Sequence, residues 1–473
     1  METKSGYELG MVGLGVMGRN FLLNMADHGY SVAGYDKDRA KVDALRQEAQ
    51  KRDIKGAADI KEFIGLLRRP RAVMLLVPAG PPVDSVIGEL EGVLEAGDLI
   101  IDGGNSYFKD TDTRGSRLRA KGLSFLGVGV SGGEEGARHG PSIMPGGPKE
   151  AYERVRPVFE ASAAQVNGEP CVAYMGPGSS GHFVKMVHNG IEYALMQLIA
   201  ETYDLMKRGL GLTDDELHEF FAGWNKGELE GYLIEITAHI FCQQDEKTGK
   251  RLIDEILDVA RQLGTGMWTS QSAFELQVPI PTIDAAVSAR NLSARDSERA
   301  AASAALPRKP VRLDGERAPF LGQLERALLA ASITAYAQGM ETLQAASAKY
   351  GYGLNLATVA GIWRGGCIIR SALLQDIRTA YKARPELSNL LLEATLAKKI
   401  VDRQEDLRSV VSTAARLGLP APAFMASLGY IDSFRSSWLP ANLIQAQRDY
   451  FGSHTYERVD EKGTFHTHWE QNE

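Results

Sequence analysis

One βαβ pattern near the start of the chain constrains its fold more than any other feature. An apolar run, Tyr7–Val12, leads into Gly13-Leu-Gly15-Val-Met-Gly18, a helical pattern, and a second apolar run that ends at Asp36. The first glycine permits a tight turn, the second lets backbone N–H groups approach a pyrophosphate, and the third permits close helix packing. A purely structural glycine turn is the alternative, but the flanking strand and helix patterns favour a dinucleotide-binding fold.

The residue that ends the second run bears on cofactor choice. A carboxylate at Asp36 can accept hydrogen bonds from ribose hydroxyls, and it repels a 2′-phosphate. Lys37 follows directly and offers one cation that would offset part of this repulsion. These residues favour NAD, with NADP as the second candidate.

Three more apolar runs, at 72–77, 99–102 and 124–128, alternate with helical stretches. This alternation predicts a parallel sheet with helices on both faces. Ligands bind beyond the carboxyl ends of such strands. Polar, glycine-rich segments follow two of the runs, at 102–106 and 129–136. We interpret both as ligand-binding loops, although either alone is more commonly a simple turn.

A long helix is predicted from Gly181 to Lys207, a stretch without proline and with apolar residues at helical spacing. One face carries Lys185, His188, Asn189 and Glu192, while apolar residues lie opposite. A polar surface face is the ordinary explanation. His and Asn are uncommon on such faces, however, and a Lys and a Glu two turns apart, about 10 Å along the axis, could flank a small molecule.

From residue 181 to about 433 the helical pattern continues almost without strands. A short motif around Trp224 recurs around Trp363, which suggests duplicated helical halves. The segment 439–456 is aromatic and polar without an amphipathic period. Because it has no such period, we expect this tail to lack a helix of its own. Disordered tails rarely contain so many aromatic residues, so we expect it to dock on a partner.

Composition excludes several functional classes. With 53 Lys and Arg against 60 Asp and Glu, the net charge is −7 and no basic block suggests a nucleic acid partner. The first six residues lack an apolar signal core and no run is long enough to span a membrane, which predicts a soluble cytoplasmic protein. Neither His nor Cys spacing suggests a metal site. Three isolated cysteines are expected to be buried thiols: Cys171, Cys242 and Cys367.

Taken together, the motifs resemble a known family. GLGVMGRNFLLNMADHGY, IIDGGNS, GVGVSGGEEGARHGPSIMPGG, GHFVKMVHNGIEY, WTSQSA and LIQAQRDYFGSHTYER are similar to those of decarboxylating 6-phosphogluconate dehydrogenases, within the β-hydroxyacid dehydrogenase superfamily. The resemblance covers essentially the whole chain. It implies a Rossmann-type α/β domain at residues 1–177, a large, internally duplicated all-α domain at 178–434, and an extended C-terminal tail, 435–473, that reaches into the partner subunit of a homodimer.

The resemblance also implies an activity and a set of site residues. The expected reaction is oxidative decarboxylation of 6-phosphogluconate to ribulose 5-phosphate and CO₂ with reduction of NAD(P) and without a metal. Lys185 matches the base and Glu192 the acid, with His188 and Asn189 beside them. The residues expected to bind substrate are Asn105, Ser131, Gly132, Gly133, Tyr193, Thr269, Arg290, Arg448 and His454. Those expected to bind the cofactor are Gly13, Gly15, Val16, Met17, Gly18, Asp36, Lys37, Val77 and Asn105.

Several positions depart from the family pattern. NADP-using members usually carry Asn-Arg-Thr where this chain has Asp36-Lys37-Asp38, and alanine where it has Gly15. A lysine that follows the third strand in the family is Pro78 here, and a phosphate-binding lysine is Met267. Two alternatives therefore stay open: a related 3-hydroxyacid dehydrogenase acting on a different sugar acid, and a non-catalytic binding dimer.

Overall fold

The computed structural model describes residues 6–307, 313 and 317–469. Residues 1–5, which contributed to the expectation that no signal sequence is present, and the last four residues of the expected tail lie outside the described residues. The described residues form two compact units, one that ends at Ser427 and one that begins at Leu428.

The first unit starts with a seven-stranded sheet. Six strands are parallel, and the seventh pairs antiparallel with the sixth in the order β3-β2-β1-β4-β5-β6-β7. The strands are β1 (Leu9–Val12), β2 (Val32–Tyr35), β3 (Ile54–Ala57), β4 (Ala72–Leu75), β5 (Leu99–Asp102), β6 (Ser124–Ser131) and β7 (Ser142–Gly146). The order reverses between β1 and β4, which is where doubly wound sheets bind their ligands.

Helices cover both faces of this sheet, as the alternating pattern predicts. They are α1 (Val16–Asp27), α2 (Arg39–Ala49), α3 (Ile60–Leu66), α4 (Pro81–Glu91), α5 (Phe108–Arg119), α6 (Gly133–His139) and α7 (Lys149–Ser162). Two separate apolar clusters result, one on each face. Leu22 and Phe159 lie in the first cluster, whereas Phe63 and Ile87 lie in the second. A small hairpin of β8 (Gln165–Val166) and β9 (Glu169–Pro170) follows.

The sheet differs from the sequence prediction at two strands and one loop. β3 and β7 were not predicted, because the first contains a lysine and a glycine and the second contains Pro145 and Gly146, which are typical of turns. The segment expected to be a loop at 129–136 is instead the end of strand β6 followed by the start of helix α6. Gly129 and Gly132 of this segment allow close packing within regular structure, whereas a Cβ at Gly133 would meet no atom within 4 Å.

The rest of the first unit is helical, as expected. The helices are α8 (Ser180–Asp204), α9 (Asp214–Trp224), α10 (Tyr232–Cys242), α11 (Thr265–Leu276), α12 (Pro281–Ser293), α13 (Asp296–Ala305), α14 (Arg317–Tyr350), α15 (Leu356–Ile362), α16 (Leu373–Ala383), α17 (Ala394–Val401), α18 (Gln404–Leu417) and α19 (Pro422–Phe434). The last of these continues into the second unit. A π-helical turn, Leu205–Gly209, ends α8. The order of a long helix and two shorter ones occurs twice, in α8–α10 and α14–α16, which agrees with the suggested duplication.

Helix α8 packs directly on the sheet because the facing positions lack side chains. A Cβ at Gly129 of β6 would overlap the side chain of Lys185, and one at Gly146 of β7 would overlap the backbone of Gly181. On its other side α8 packs against α14, where a Cβ at Gly339 would lie 2.5 Å from the Ile191 side chain. The small residues thus bring the first two turns of α8 against β6 and β7 of the sheet.

The second unit contains a helix that the sequence reasoning missed. Helix α20 (Ala441–Gly452) is followed by a bridge between Tyr456 and Phe465. Our expectation of a tail without its own helix was wrong: Ala, Leu, Gln and Arg favour a helix, but only Asp449 of α20 is buried, so no one-sided apolar period exists to detect. The Asp449 carboxylate accepts hydrogen bonds from the backbone N–H groups of Thr455 and Thr467 and from the Trp469 indole, and contacts His466.

The cysteines agree with the prediction at two positions of three. Cys171 and Cys367 are buried free thiols, whereas Cys242 is exposed. The expectation was wrong for Cys242 because it is the last residue of α10, where the helix ends and the chain turns outward.

Candidate active site

The turn between β1 and α1 has the geometry that dinucleotide binding requires. Gly13 has φ +96°, and a Cβ there would lie 2.5 Å from the carbonyl oxygen of Leu76. A Cβ at Gly18 would overlap the carbonyl of Gly13, whereas one at Gly15 would meet no atom within 4 Å. Gly13 therefore permits the tight turn, Gly18 permits close helix packing, and Gly15 leaves open space at the N-terminus of α1. This arrangement fits a pyrophosphate.

Asp36, at the end of β2, is fixed by the same turn. Its Oδ2 accepts a hydrogen bond from the Leu14 backbone N–H at 2.9 Å, and its Oδ1 accepts one from the Asp38 N–H at 2.9 Å. The Lys41 ammonium lies 3.4 Å from Oδ2, a cation that the sequence reasoning did not consider. Lys37 points elsewhere, because its Nζ lies 2.5 Å from Oε1 of Glu89 on α4.

The remaining residues expected at the cofactor lie around this turn. Val16 is 47% exposed on the first turn of α1, while Met17 is partly buried against the core. The loops after β4 and β5 touch, since a Cβ at Gly104 would lie 3.1 Å from the carbonyl oxygen of Val77. Asn105, in the second loop, is exposed. The residues expected at the cofactor therefore lie near one another, beyond the carboxyl ends of β1, β4 and β5.

The predicted polar face of α8 forms a hydrogen-bonded group that is buried rather than solvated. Lys185 is 5% exposed, and its Nζ donates to Ser131 Oγ at 3.1 Å and to Asn189 Oδ1 at 2.7 Å. His188 lies 2.9 Å from Asn189 Oδ1 through Nδ1 and 3.2 Å from Ser131 Oγ through Nε2. Asn189 also donates to Thr265 Oγ1 of α11 at 3.3 Å. The ordinary explanation, a solvated helix face, does not hold here.

Burial sets the charge states of this group. It lowers the pKa of Lys185, while Glu192 and Cys367 act in the opposite direction. Burial, together with Lys185, holds the pKa of His188 well below its ordinary value, so this imidazole is neutral. Burial raises the pKa of Glu192, and Lys185 and Arg290 offset part of that rise. An amine that loses its proton more easily and a carboxyl that keeps its proton longer suit a base and an acid.

Glu192 stands two turns beyond Lys185, with its side chain 20% exposed. Its Oε2 lies 3.8 Å from His188 Nδ1. No carboxylate of residues 6–307, 313 and 317–469 lies within 4 Å of the Lys185 ammonium. Lys185 and Glu192 therefore lie along one face of α8 without forming an ion pair.

The Ser131-Gly132-Gly133 segment lies directly against this face of α8, since Ser131 Oγ is 3.1 Å from Lys185 Nζ and 3.2 Å from His188 Nε2. Gly132 has φ +109°, and a Cβ there would lie 2.5 Å from the carbonyl oxygen of Gly366. Gly133 has φ +62° but is exposed, and a Cβ would meet no atom within 4 Å. Only glycine fits position 132, because both its conformation and its neighbour exclude a side chain.

A cationic group lies near the start of α11. The Arg290 guanidinium stacks 3.4 Å from the centroid of the Tyr193 ring and donates to Met196 Sδ at 3.5 Å. Within the described residues it forms no salt bridge, so its charge is available to an anion. Met267 is 40% exposed on the first turn of α11.

Thr269 differs from expectation: it is fully buried, and its hydroxyl lies 2.9 Å from two backbone carbonyl oxygens, so this geometry offers no free group to a substrate.

Arg448 and His454 belong to the second unit. Arg448 is exposed on α20 and donates to Gln445 Oε1 at 2.9 Å. His454 is exposed just after the helix, with its ring 5.8 Å from that of Phe451. Both side chains are therefore accessible from outside their own unit.

Sequence reasoning missed two residues beside this hydrogen-bonded group. The Trp363 ring packs edge-on against His188 at 5.5 Å, and Cys367 is fully enclosed near Lys185. The recurring tryptophan motif drew attention to Trp363, but only as a sign of duplication. Among the residues that the structure describes, no three His, Cys, Asp or Glu side chains are grouped so as to hold a metal ion. None of the helices described has the length and apolar character needed to cross a membrane.

Comparison with protein families covers most of the chain. Residues 181–469 match the model described as 6-phosphogluconate dehydrogenase, C-terminal domain, and residues 8–176 match the NAD binding domain of 6-phosphogluconate dehydrogenase. The chain belongs to the 6-phosphogluconate dehydrogenase family.

Individual relatives agree along nearly their whole length. The NADP(+)-dependent, decarboxylating 6-phosphogluconate dehydrogenase of Bacillus subtilis is 52% identical over 468 residues, covering 98% of this chain and 99% of that protein. The decarboxylating enzyme of Escherichia coli is 49% identical, with 98% and 99% covered. A Plasmodium falciparum 6-phosphogluconate dehydrogenase, solved apo, with NADP+ and with 6-phosphogluconate, is 43% identical with a TM-score of 0.94, and covers 98% of this chain and 100% of that chain.

Family membership confirms the resemblance, the fold and the activity expected from the sequence. The chain is a decarboxylating, NAD(P)-dependent 6-phosphogluconate dehydrogenase of the pentose phosphate pathway, with a Rossmann-type domain followed by a large helical domain. The choice between NAD and NADP and the role of each side chain are not decided by this membership.

Proposed function

We propose that the site formed by α8 and the Ser131-Gly132-Gly133 segment oxidises and decarboxylates 6-phosphogluconate, with Lys185 as the base. The observation that carries the proposal is a buried Lys185 ammonium that has neutral hydrogen-bond partners and no ion pair within the described residues. A lysine in this setting releases its proton more readily than one in water. The Plasmodium relative, solved with NADP+ and with 6-phosphogluconate, supports the choice of ligands.

The chemistry follows from these positions. When bound, NAD(P) would supply the hydride acceptor for the carbon whose hydroxyl is β to the carboxylate. Lys185 removes the proton of that hydroxyl, which leaves a β-keto acid. As the bond to CO₂ breaks, its electron pair moves into an enediolate, and the protonated Lys185 stabilises the negative oxygen. Glu192, whose pKa is raised by burial, then donates a proton to the carbon that lost CO₂.

The substrate's phosphate is proposed to bind Arg290, whose guanidinium is oriented by the Tyr193 ring. A guanidinium binds phosphate well because its N–H groups form a fork. Met267 occupies the position of a lysine in the family pattern, so we propose weaker phosphate binding than in lysine-bearing relatives. This substitution also keeps the alternative of a different sugar acid open to test, and gluconate without phosphate serves as the comparison substrate.

NAD is the proposed preferred cofactor. Asp36 presents a carboxylate where a 2′-phosphate would lie, and the cation that would offset it, Lys37, is engaged by Glu89. Lys41 lies 3.4 Å from Asp36 and acts in the opposite direction. The Bacillus subtilis relative is named for NADP, so the preference of this chain would differ from that of a protein 52% identical to it.

The tail, residues 435–473, is proposed to complete the active site of a second copy in a homodimer. Its large apolar side chains support this, since Trp438 is 65% exposed, Leu443 61% and Phe451 72%. Exposed apolar groups of this kind mark surfaces that a partner covers. Arg448 and His454 would then contact the substrate held by the partner's Lys185 and Arg290.

Initial rates with 6-phosphogluconate, followed by the absorbance of the reduced nicotinamide under NAD and under NADP, test the function. Lys185→Met should abolish turnover while cofactor binding is retained. Wild-type activity should fall at low pH as Lys185 becomes protonated. Near-normal turnover by Lys185→Met would contradict its role as base, and equal rates with gluconate would contradict the substrate assignment. The absence of any nicotinamide reduction would favour the non-catalytic alternative.

Mixed dimers test the exchange of tails. Lys185→Met and Arg448→Ala homodimers should each be nearly inactive. After subunit exchange, a heterodimer contains one doubly damaged site and one intact site, because the Arg448→Ala chain supplies Lys185 and the Lys185→Met chain supplies Arg448. Activity should therefore reappear. If heterodimers are present but no activity returns, the tail acts within its own chain.

A further inference from the structure

A buried carboxylate shapes the loop that carries Asn105. Asp102, the last residue of β5, is fully buried. Its Oδ1 accepts a hydrogen bond from the Gly104 N–H at 3.1 Å, and its Oδ2 accepts one from Ser106 Oγ at 2.7 Å. The turn at 103–106 is therefore closed from both sides, and the Asn105 side chain between them is left free to meet a ligand.

A histidine of the catalytic helix holds the start of this loop. His182 lies three residues, or about one helical turn, before Lys185 on α8 and is 1% exposed. Its Nε2 lies 3.0 Å from the carbonyl oxygen of Asp102, and its Nδ1 lies 2.7 Å from Thr111 Oγ1 on α5. The loop, the catalytic helix and α5 thus meet at one imidazole.

The partners of His182 fix its tautomer. A carbonyl oxygen can only accept, so Nε2 carries the proton and donates to Asp102. Burial lowers the pKa of His182, so the ring is neutral and Nδ1 accepts from the Thr111 hydroxyl. The Thr111 hydroxyl lies 2.7 Å from Nδ1 and 3.3 Å from the Tyr107 carbonyl oxygen, so its proton goes to the nearer imidazole nitrogen.

Close packing leaves no slack around this contact. A Cβ at Gly127, which pairs with Asp102 in the sheet, would lie 2.6 Å from Thr111 Cγ2 and 2.9 Å from His182 Nδ1. On the far side of the loop, Arg114 lies 3.4 Å from Asp102 Oδ2 and binds both carboxylate oxygens of Asp84, at 2.7 and 2.9 Å. Arg114 also donates to the Gly80 carbonyl, next to the loop that carries Val77. The loops that carry Val77 and Asn105 are thereby both connected to α8.

We infer that His182 is a positioning residue for hydride transfer: through its hydrogen bond to Asp102 it sets the distance between the Asn105 loop and Lys185 on α8. This inference rests on the proposed function, because it takes Asn105 and Lys185 as groups on either side of the reacting carbon. Displacement of such groups by about 1 Å can cost about a hundredfold in rate. His182 is 1% exposed and its hydrogen bonds go to Asp102 and Thr111, so it acts through the protein, and we expect the larger effect on turnover rather than on affinity.

Two substitutions of the same residue separate this role from packing. In His182→Gln the amide nitrogen reaches the position of Nε2 and can still donate to the Asp102 carbonyl. In His182→Asn the amide reaches only the position of Nδ1, so the bond to Asp102 is lost. We expect kcat of His182→Gln within about threefold of wild type, and kcat of His182→Asn lower by about ten- to a hundredfold. Dissociation constants for NAD+ and 6-phosphogluconate, titrated without turnover, should stay within about threefold in both.

The isotope effect gives a second readout. With 6-phosphogluconate deuterated at the oxidised carbon, the effect on kcat should be larger for His182→Asn than for His182→Gln, because hydride transfer has become the slower step. Equal losses of kcat in the two variants, or an unchanged kcat in His182→Asn with only a lower melting temperature, would show a packing role and overturn the inference. If neither variant folds, Thr111→Val serves instead, because it keeps the shape of the side chain but removes the hydroxyl that bonds to His182. We expect Thr111→Val to lower kcat by at least threefold, and an unchanged kcat in this variant would overturn the inference.

Lys185→Met, assayed in parallel, distinguishes the two proposals. An active Lys185→Met enzyme overturns the proposed site and this inference with it. An inactive Lys185→Met enzyme together with a fully active His182→Asn enzyme overturns only the positioning role.

Discussion

Replacing Asp36 by asparagine should shift the enzyme from NAD toward NADP. Asp36 is 12% exposed, and its Oδ2 accepts a hydrogen bond from the Leu14 N–H at 2.9 Å. Asparagine has the same shape, and its carbonyl oxygen can keep this bond, whereas the bond that the Asp38 N–H donates to Oδ1 is lost when an N–H₂ group replaces that oxygen. The bond to Leu14 should preserve the turn at the glycine motif, and the substitution removes one negative charge.

The magnitude follows from two contributions. A carboxylate and a doubly charged 2′-phosphate about 6 Å apart repel by roughly 1.4 kcal/mol in water, and by more where protein shields them, so removing the charge should gain about tenfold for NADP. Replacing a charge-assisted hydrogen bond to the NAD ribose by a neutral one costs about 1 kcal/mol, or roughly fivefold. The ratio of kcat/KM for NADP to that for NAD should therefore rise by roughly fiftyfold.

The assay is initial rate against cofactor concentration at constant ionic strength, because salt screens this repulsion. Lys37→Gln is the matched control: its ammonium is paired with Glu89 and 64% exposed, so the ratio should change by less than about twofold. Adding Lys37→Arg to Asp36→Asn should favour NADP further, most of all when Glu89→Gln frees the cation. A wild-type enzyme at least tenfold better with NADP, or a ratio that moves less than threefold in Asp36→Asn, would refute this reasoning.

Four further outcomes are expected. Met267→Lys should lower KM for 6-phosphogluconate by about tenfold or more, as one charge-assisted phosphate contact contributes about 1.5–3 kcal/mol; an unchanged KM would mean that another cation already serves the phosphate. Glu192→Gln should slow turnover chiefly at protonation of the enediol, and burst kinetics with a rapid first reduction would show this, whereas a slower first reduction would not fit. Gly132→Ala should lower the melting temperature sharply, because a Cβ would lie 2.5 Å from a carbonyl oxygen. Gly133→Ala should reduce the stability by only about 1–2 kcal/mol, the cost of a left-handed backbone at alanine. Equal losses of stability in the two variants would contradict the predicted clash at position 132. Burial raises the pKa of Glu201 to about 7, despite hydrogen bonds from two N–H groups at the start of α19. The unfolded chain therefore loses this proton at lower pH than the folded one, and the free energy of unfolding falls as the pH rises from about 4.5 to about 7. Glu201→Gln should lessen that fall by up to about 3 kcal/mol in denaturant titrations, and parallel curves of stability against pH would contradict this expectation.

Local sequence was enough to predict those elements whose residues interact mainly with near neighbours. The glycines at 13, 15 and 18 have fixed conformational roles within one βαβ unit, so their geometry could be predicted before the fold was known. Apolar periodicity gave most strands of the sheet and the long helix α8 for the same reason. The residues proposed for catalysis were picked out by their spacing on α8 and by resemblance, because residue type and helical spacing are properties of the sequence itself.

The tertiary structure determined the features that hydrophobic periodicity in the sequence does not predict. Helix α20 was missed because it buries almost no side chain, and β7 was missed because a Pro-Gly strand is stabilised by its partner strand. The low pKa of Lys185 is not visible in the sequence, since it depends on glycines of β6 and β7 that let α8 approach the sheet. The engagement of Lys37 by Glu89, and of Asp102 by His182, joins residues far apart in the chain. Charge state and orientation depend on burial and on partners, and these are set only when distant segments pack together.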